Sequence, residues 1–548
     1  MLFNSFSFAF IFLPVALLGF YVSSCIDKWV AKVWLILASL AFYTYWHPPF
    51  TVLLLLSIGF NYVCGTLILS RRDRGKQMPL VIFAVACNLL VLFYYKYAYV
   101  VAASLVQAGI TPELRMDPIL LPLGISFFTF TQIGFLLDCS GGEVRDKSLI
   151  NYMLFVTFFP HLIAGPILHH REIMPQFADD ATYRLRFDNV AVGGALFSIG
   201  MFKKVLLADS IATYASPGFA DTGHLALFGA WGTALSYSLQ LYFDFSGYSD
   251  MAIGIAKMCN VQFPMNFNSP YKATNIIDFW QRWHMTLTRY LTLYLYNPMA
   301  LLITRRRMAR GLPVSRKAMA NPLTFASMVA LPLFFTMTLA GIWHGAGLQF
   351  VIFGVLHGAY LTINHAWRLI RHKHSGKAAA PVSALYRHAS AVGSLLLTYL
   401  AVLVGQIFFR ASSSGSAVSM LGGMLGLHGV DITMPVPSWL PSRLGAAGAW
   451  LQSHGLISTV SQFESGGGVF YQLTLIVLLF GIVWLMPNSQ EIVGLDSPEH
   501  GGIGQVVRTA ANTGWLKFNA HWGMVTGVIA VAAILGIGAK SEFLYFQF

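Results

Sequence analysis

Apolar runs long enough to cross a bilayer recur along this sequence from end to end, and they leave few folds open. They cover approximately residues 8–23, 30–46, 50–70, 79–103, 119–138, 188–208, 226–245, 320–341, 346–370, 390–410, 470–486 and 518–538. A hydrocarbon core about 30 Å thick is crossed by roughly 20 apolar residues in a helix. Backbone facing lipid must satisfy its own hydrogen bonds, which favours helices for runs of this length. The expectation is an all-α polytopic membrane protein with about 11–12 transmembrane helices around a central cavity. Two weaker stretches, near 151–168 and 279–303, are interrupted by Pro, His and Arg. They read as re-entrant or interfacial, a conformation tolerated only where protein or a watery cavity covers the backbone. Composition agrees, since 10% of residues are charged against roughly 25% in soluble domains.

Charge then sets orientation. The formal net charge of +13 sits in short loops between apolar runs, the positive-inside pattern with some attraction to anionic lipid, and gives no support to nucleic-acid binding. Arg71, Arg72, Arg74 and Lys76 mark one cytoplasmic loop. Arg305, Arg306, Arg307, Arg310, Arg316 and Lys317 precede the run at 320, and Arg368, Arg371, Lys373, Lys377 and Arg387 follow the run ending near 370. Both ends of that hairpin are therefore cytoplasmic, and its bend lies on the far side. The Gly/Ser/Pro-rich stretch 411–468 has Arg443 as its only Lys or Arg and reads as a periplasmic insertion. The organisation expected is one membrane domain over 1–548, with a core at about 119–370 and an aromatic tail at 543–548. The N-terminal run lacks a charged n-region and an A-x-A cleavage site, so it reads as a retained membrane segment. Five cysteines with no C-x-x-C read as buried thiols, and no metal site is expected. Phosphate-loop and dinucleotide glycine fingerprints are absent from the sequence.

Polar residues inside apolar runs are where chemistry is sought. Ala340-Gly341-Ile342-Trp343-His344-Gly345-Ala346-Gly347 places one imidazole at the bend of the hairpin. An intramembrane ionisable residue is a functional candidate by default, and the glycines allow another backbone or a substrate to approach. The alternative is a His that only bridges helices. In Asp278–Leu291, helical spacing puts Trp280, Trp283, His284, Leu287 and Leu291 on one face and Asp278 at ion-pair spacing from Arg282. His284 is then either a satisfied core residue or a catalytic one. The stretch Gln240–Gly254, with Asp244, Tyr248 and Asp250, and the following Met265–Tyr271, with Asn266, form a structural polar network or a substrate site. The terminal Phe543-Leu544-Tyr545-Phe546-Gln547-Phe548 is an interfacial aromatic anchor or a segment whose hydroxyl reaches back into a cavity.

Taken together, QLYFDFSGYSDMAIG, FPMNFNSPY, DFWQRWHMTLTRYL and LAGIWHGAG resemble the membrane-bound O-acyltransferase family, most closely its bacterial branch that O-acetylates exported polysaccharides, the alginate O-acetylase type. LGISFFTFTQIGFLLD and FPHLIAGPI fit as well. The resemblance implies that His344 is the essential histidine, His284 a second one, and Tyr545 a candidate covalent acyl carrier. Substrate contacts are expected at Asp244, Tyr248, Asn266, Trp280 and Trp343, while Arg305 and Arg306 either hold donor phosphates at the cytoplasmic mouth or only anchor the chain on the cytoplasmic side. Acetyl-CoA or another acyl thioester is then the donor substrate, with no bound cofactor. The implied partners are membrane lipid, an exported polysaccharide and a periplasmic acyltransferase. D-alanyl transfer from a carrier-protein thioester and a non-catalytic transporter are the alternatives. Gln281 in place of a common Arg, and a long basic stretch Leu295–Met319, depart from the pattern on the donor side.

Overall fold

Each of the apolar runs contains a helix in the computed structural model, which describes residues 1–72, 75–111, 116–374, 383–430, 434–437, 439–454, 457–460, 469–495, 520–538 and 544. In chain order the helices begin with α1 (Ser7–Ile26), α2 (Lys28–Thr44), α3 (Pro48–Arg72), α4 (Met78–Lys96) and α5 (Ala98–Gln107). They continue with α6 (Ile125–Gly141), α7 (Leu149–Thr157), α8 (His170–Ala178), α9 (Phe187–Ala220) and α10 (Leu227–Met258). After the short α11 (Ile276–Trp280) and α12 (Met285–Leu291) come α13 (Asn297–Ala309), α14 (Pro322–His344) and α15 (Leu348–His374). The chain closes with α16 (Ala384–Arg410), α17 (Ser414–Met424), α18 (Val469–Leu485) and α19 (Ala520–Leu535). Within the 411–468 insertion, β1 (Met434–Pro437) and β2 (Ile457–Val460) pair in parallel.

Six of the described helices, α1, α3, α4, α9, α14 and α16, are long and apolar enough to cross a membrane. The other runs fall short of that standard for physical reasons. Helices α2 and α6 have 17 residues each. The 32-residue α10 buries Asp244, Ser246, Ser249, Asp250 and Lys257, so its composition is that of an inner helix lined with polar groups. The run 79–103 breaks at Tyr97, and the run at 119 becomes helical only from Ile125.

Both weak stretches are broken, as expected of re-entrant backbone. After α7 the chain makes one turn at Phe159–Leu162 and then runs irregularly through Gly165 and Pro166. Other elements hydrogen-bond this irregular backbone. Ser39 Oγ accepts from Phe159 N at 3.1 Å, and Thr286 Oγ1 accepts from Ile167 N at 3.0 Å. The second stretch corrects the expectation of one amphipathic helix over 278–291. The helix stops after Trp280 and restarts at Met285, with His284 between them in the left-handed region at φ 43°. A non-glycine residue is strained there and stays only where its surroundings hold it. The Asp278–Arg282 ion pair forms at 2.7 Å across this break.

Small residues bring the central helices together. A Cβ on Gly341 of α14 would lie 2.2 Å from Phe350 O of α15, and one on Gly354 would lie 2.3 Å from Met337 O. The hairpin therefore packs backbone to backbone, which is how small residues drive helix association in lipid. We expect Gly341→Ala and Gly354→Ala each to lose about 1–3 kcal/mol through overpacking. Gly481→Ala, where an added Cβ meets nothing within 4 Å, should be neutral. Heat survival of the monodisperse protein in detergent, read by size-exclusion chromatography, checks the contrast; equal losses at all three sites would contradict it.

Candidate active site

The site forms where α14 stops. Its last residue, His344, is buried at 9% exposure. Its ring lies 4.7 Å from Trp343, 4.9 Å edge-on from Phe409 and 6.1 Å edge-on from Phe353. No hydrogen bond to another described residue fixes its ring nitrogens. Two carbonyls at the helix end accept from the last residue of α4 and the residue after it. Tyr97 Oη donates to Ile342 O at 2.8 Å, and Lys96 Nζ donates to Trp343 O. A cation at a helix C-terminus is favoured by the aligned peptide dipoles as well as by the hydrogen bond. These contacts join the far end of α4 to the far end of α14. The positive-inside assignments of the two halves of the chain thus agree, with His344 away from the cytoplasm in both.

Two cavities meet at His344. An outer one of about 190 Å³ is lined by Trp46, Lys96, Leu120–Phe127, Ile163, Trp343 and His344. That volume holds several waters, and Lys96 is its only charged wall residue. An inner one of about 40 Å³ is lined by Leu241, Phe245, Phe279, Trp280, Trp283, His284, Leu287, His344, Phe353, His357, Val402, Gln406 and Phe409. It is narrow and largely aromatic, and none of the described residues on its walls is a carboxylate. It lies on the cytoplasmic side of His344, because α11, which supplies Trp280, is tied at its start to the basic end of α15 by Arg368 donating to Asn275 Oδ1 at 3.0 Å.

His284 is held with unusual definition. Its Nδ1 is 2.9 Å from Asn266 Oδ1, and the same oxygen accepts from Thr286 N at 3.4 Å and Thr286 Oγ1 at 2.9 Å. A backbone N–H can only donate, so the Asn266 oxygen faces this group, and its amide nitrogen donates to Ser249 Oγ at 3.0 Å. Nδ1 of His284 therefore carries the proton. Nε2 is a bare acceptor, buried and without a partner among the described residues.

Of the other residues singled out in the sequence, Trp280 lines the inner cavity and Trp343 the outer one. Asp244 stands one helical face behind, in a buried ion pair with Lys204 Nζ at 2.6 Å. Lys204 also binds Asp209 at 2.7 Å. Tyr248 stacks on Phe3 at 4.6 Å, away from both cavities. Arg305 and Arg306 are exposed on α13 and line neither cavity, whereas Arg307 binds Thr324 Oγ1 and Ser327 Oγ and pins α13 to α14. Tyr545 lies outside the described residues. Its neighbour Leu544 is buried at 1% exposure and hydrogen-bonds through its backbone to Asp244.

Sequence reasoning passed over Lys96, His357 and Gln406. The signal for the first was a single lysine closing an apolar run; His357 and Gln406 lie in runs whose patterns say only that helices are buried. His357 Nδ1 accepts from Trp280 Nε1 at 3.2 Å. Among the described residues, Asp138, His169 and His170 form the one His/Cys/Asp/Glu trio close enough to hold an ion. Its chemistry is that of a hydrogen-bonded carboxylate. Asp138 Oδ2 receives His169 Nε2 and His170 Nδ1 at 3.1 Å each, and Tyr294 Oη at 2.7 Å. His169 Nδ1 accepts from Arg171 N, which leaves Nε2 to donate to Asp138 Oδ2.

A sequence model of the membrane-bound O-acyltransferase family matches residues 137–312. The chain is 37% identical to the peptidoglycan O-acetyltransferase of Helicobacter pylori over 79% of this chain and 81% of that protein. It is 35% identical to the probable alginate O-acetylase AlgI of Pseudomonas syringae pv. tomato over 100% of both. It is also 28% identical to the teichoic acid D-alanyltransferase of Bacillus subtilis over 44% of this chain and 58% of that protein. The chain belongs to the membrane-bound O-acyltransferase family. It is a multi-pass acyltransferase of the bacterial inner membrane.

Hydrogen bonds to a charged group contribute about 1.5–3 kcal/mol. Lys96→Met should therefore slow acyl transfer on the order of 10-fold or more as the end of α14 loosens, with Tyr97→Phe milder. Steady-state transfer rates in proteoliposomes test this, and wild-type rates in Lys96→Met would refute it.

Proposed function

We propose that the protein moves an acetyl group from a cytoplasmic thioester to hydroxyls of an exported polysaccharide. The observation that supports this reading most is that His344 is a wall of both cavities. A donor held in the inner cavity and an alcohol held in the outer one meet at the same ring. An imidazole of either histidine takes the proton of the attacking hydroxyl as its oxygen bonds to the acyl carbon. The C–S bond breaks, the thiolate leaves, and it regains the proton. We assign His344 the role of base toward the alcohol. His284, whose bare Nε2 faces the same inner cavity, assists proton transfer or holds the thioester. Asn266 keeps that nitrogen unprotonated, and Trp280 and Trp343 shape the two chambers.

The relatives named for O-acetyl transfer to peptidoglycan and alginate support a glycan acceptor. The D-alanyl alternative finds less support in the inner cavity. An alanyl ester carries an ammonium group, and burying that charge without a partner is costly; none of the residues lining this cavity is an acid. A neutral acetyl group has no such requirement.

Tyr545 is proposed as the relay that receives the acyl group and passes it to a periplasmic acyltransferase or directly to the glycan. The buried position of Leu544, bonded to Asp244, supports a tail that reaches into the membrane domain. On this reading Asp244 holds the tail and does not touch the sugar. Arg305 and Arg306 are proposed to attract donor phosphates at the cytoplasmic mouth.

His344→Ala should abolish polymer acetylation while expression, insertion and size-exclusion profile stay unchanged; retained acetylation would refute its role. For the relay, Tyr545→Phe should lose transfer to polymer but keep thioester binding. Acetylation of the polymer at the wild-type level in this variant would remove Tyr545 from the mechanism.

A further inference from the structure

A hydrogen-bond chain behind the inner cavity leaves one acceptor on a residue of its wall unpaired among the described residues. Ser238 O is a carbonyl and can only accept, so Tyr271 Oη, 2.8 Å away, must donate to it. The lone pairs of Tyr271 Oη then receive Ser238 Oγ at 3.0 Å and Gln406 Nε2 at 2.9 Å. Tyr399 Oη completes the chain by donating to Ser238 Oγ at 2.9 Å. Every proton in this network has one possible place. The amide of Gln406 is thereby fixed with its nitrogen toward Tyr271 and its oxygen turned away.

Among the described residues that oxygen has no partner. Gln406 is 4% exposed, Oε1 is buried, and the residue is a wall of the inner cavity together with His284 and His344. A buried acceptor left unpaired costs about 1–3 kcal/mol, so the network holds it in a state that a hydrogen-bond donor in the cavity would relieve. The surrounding wall is aromatic and uncharged, which suits a neutral chain better than a charged one.

We propose that Gln406 Oε1 recognises the N–H of a secondary amide on the donor's thioester arm, and so acts as the donor-specificity residue. The ligand class is an acyl thioester on a pantetheine-type arm, whose first amide nitrogen is two methylenes from sulfur. Such an arm threads an apolar channel while placing one N–H on its wall and its carbonyl carbon near the imidazoles. The inference rests on the proposed thioester chemistry and adds how the donor is selected. A site built around a substrate N–H discriminates strongly against an isostere that lacks it, because the site's own acceptor is then left unpaired.

The test uses the full-length protein in detergent and follows release of free thiol. One probe is the acetyl thioester of N-acetylcysteamine; the other is its ester counterpart, with oxygen in place of the N–H. Wild type should favour the amide probe roughly 10-fold or more in kcat/KM. Gln406→Met, which keeps the length but removes the acceptor, should lose that preference mainly through KM for the amide probe. Equal use of the two probes by wild type would overturn the inference, whether or not the variant folds. Thiol release from neither probe nor acetyl-CoA would instead remove the thioester reaction itself, so the two failures are distinguishable. Acetyl-CoA and an acetylated phosphopantetheine carrier protein, assayed side by side, present the same arm and identify its source. For whichever serves, a lower kcat/KM in Gln406→Met supports the assignment and an unchanged one overturns it.

Discussion

Backbone that leaves the helix inside a bilayer has to find its hydrogen bonds in neighbouring protein, and this molecule is arranged around meeting that demand at a few breaks. The most consequential is the end of α14. There Lys96, the last residue of α4, and Tyr97 just after it, some 240 residues distant in sequence, donate to the carbonyls of Trp343 and Ile342. The others are the irregular run before α8, held by Ser39 and Thr286, and the break at His284, held by Asn266. Thr286 serves two of them at once, since its hydroxyl accepts from Ile167 N and donates to Asn266 Oδ1. Satisfying broken backbone and orienting an imidazole are the same set of contacts.

The two chambers differ as their tasks require. The outer is roomier and has a lysine in its wall, so water and an alcohol are at home there. The inner is narrow, aromatic and free of carboxylates, which excludes bulk water and keeps electrostatic interactions strong. On the proposed function, a thioester held in the inner chamber would be shielded from hydrolysis until an acceptor arrived from the other side. The glycine contact between α14 and α15 brings the two backbones together at Gly341 and Gly354, which holds the hairpin that ends in His344.

Much of this was legible in the sequence, and what escaped did so for identifiable reasons. Periodicity and hydropathy found the helices, and the expense of placing an imidazole in an apolar run found His344. The stripe of Trp280, Trp283, His284, Leu287 and Leu291 was read from helical spacing; the first four line one cavity and Leu291 packs in the core instead. The helix assumed for them is broken, however, because Asn266 captures His284, and a partner outside the segment cannot be seen from its own pattern. Tyr248 and Asp244 share a motif with polar neighbours, yet one packs on Phe3 and the other pairs with Lys204. The identity of polar residues in α10 was visible, whereas the direction each faces was set by helices far along the chain. Lys96, His357 and Gln406 gain their meaning only from contacts across long sequence separations.

The central claim is that one ring position is reachable from both faces of the membrane. It is tested most directly by placing a cysteine there, His344→Cys, in a background whose five native cysteines are replaced, and applying membrane-impermeant thiol reagents to sealed, oriented vesicles. The expected result is modification from the periplasmic face and, more slowly, from the cytoplasmic face, with the cytoplasmic reaction blocked by a bound thioester donor. A cysteine at this position that reacts from neither face, in protein that is otherwise folded, would contradict the account.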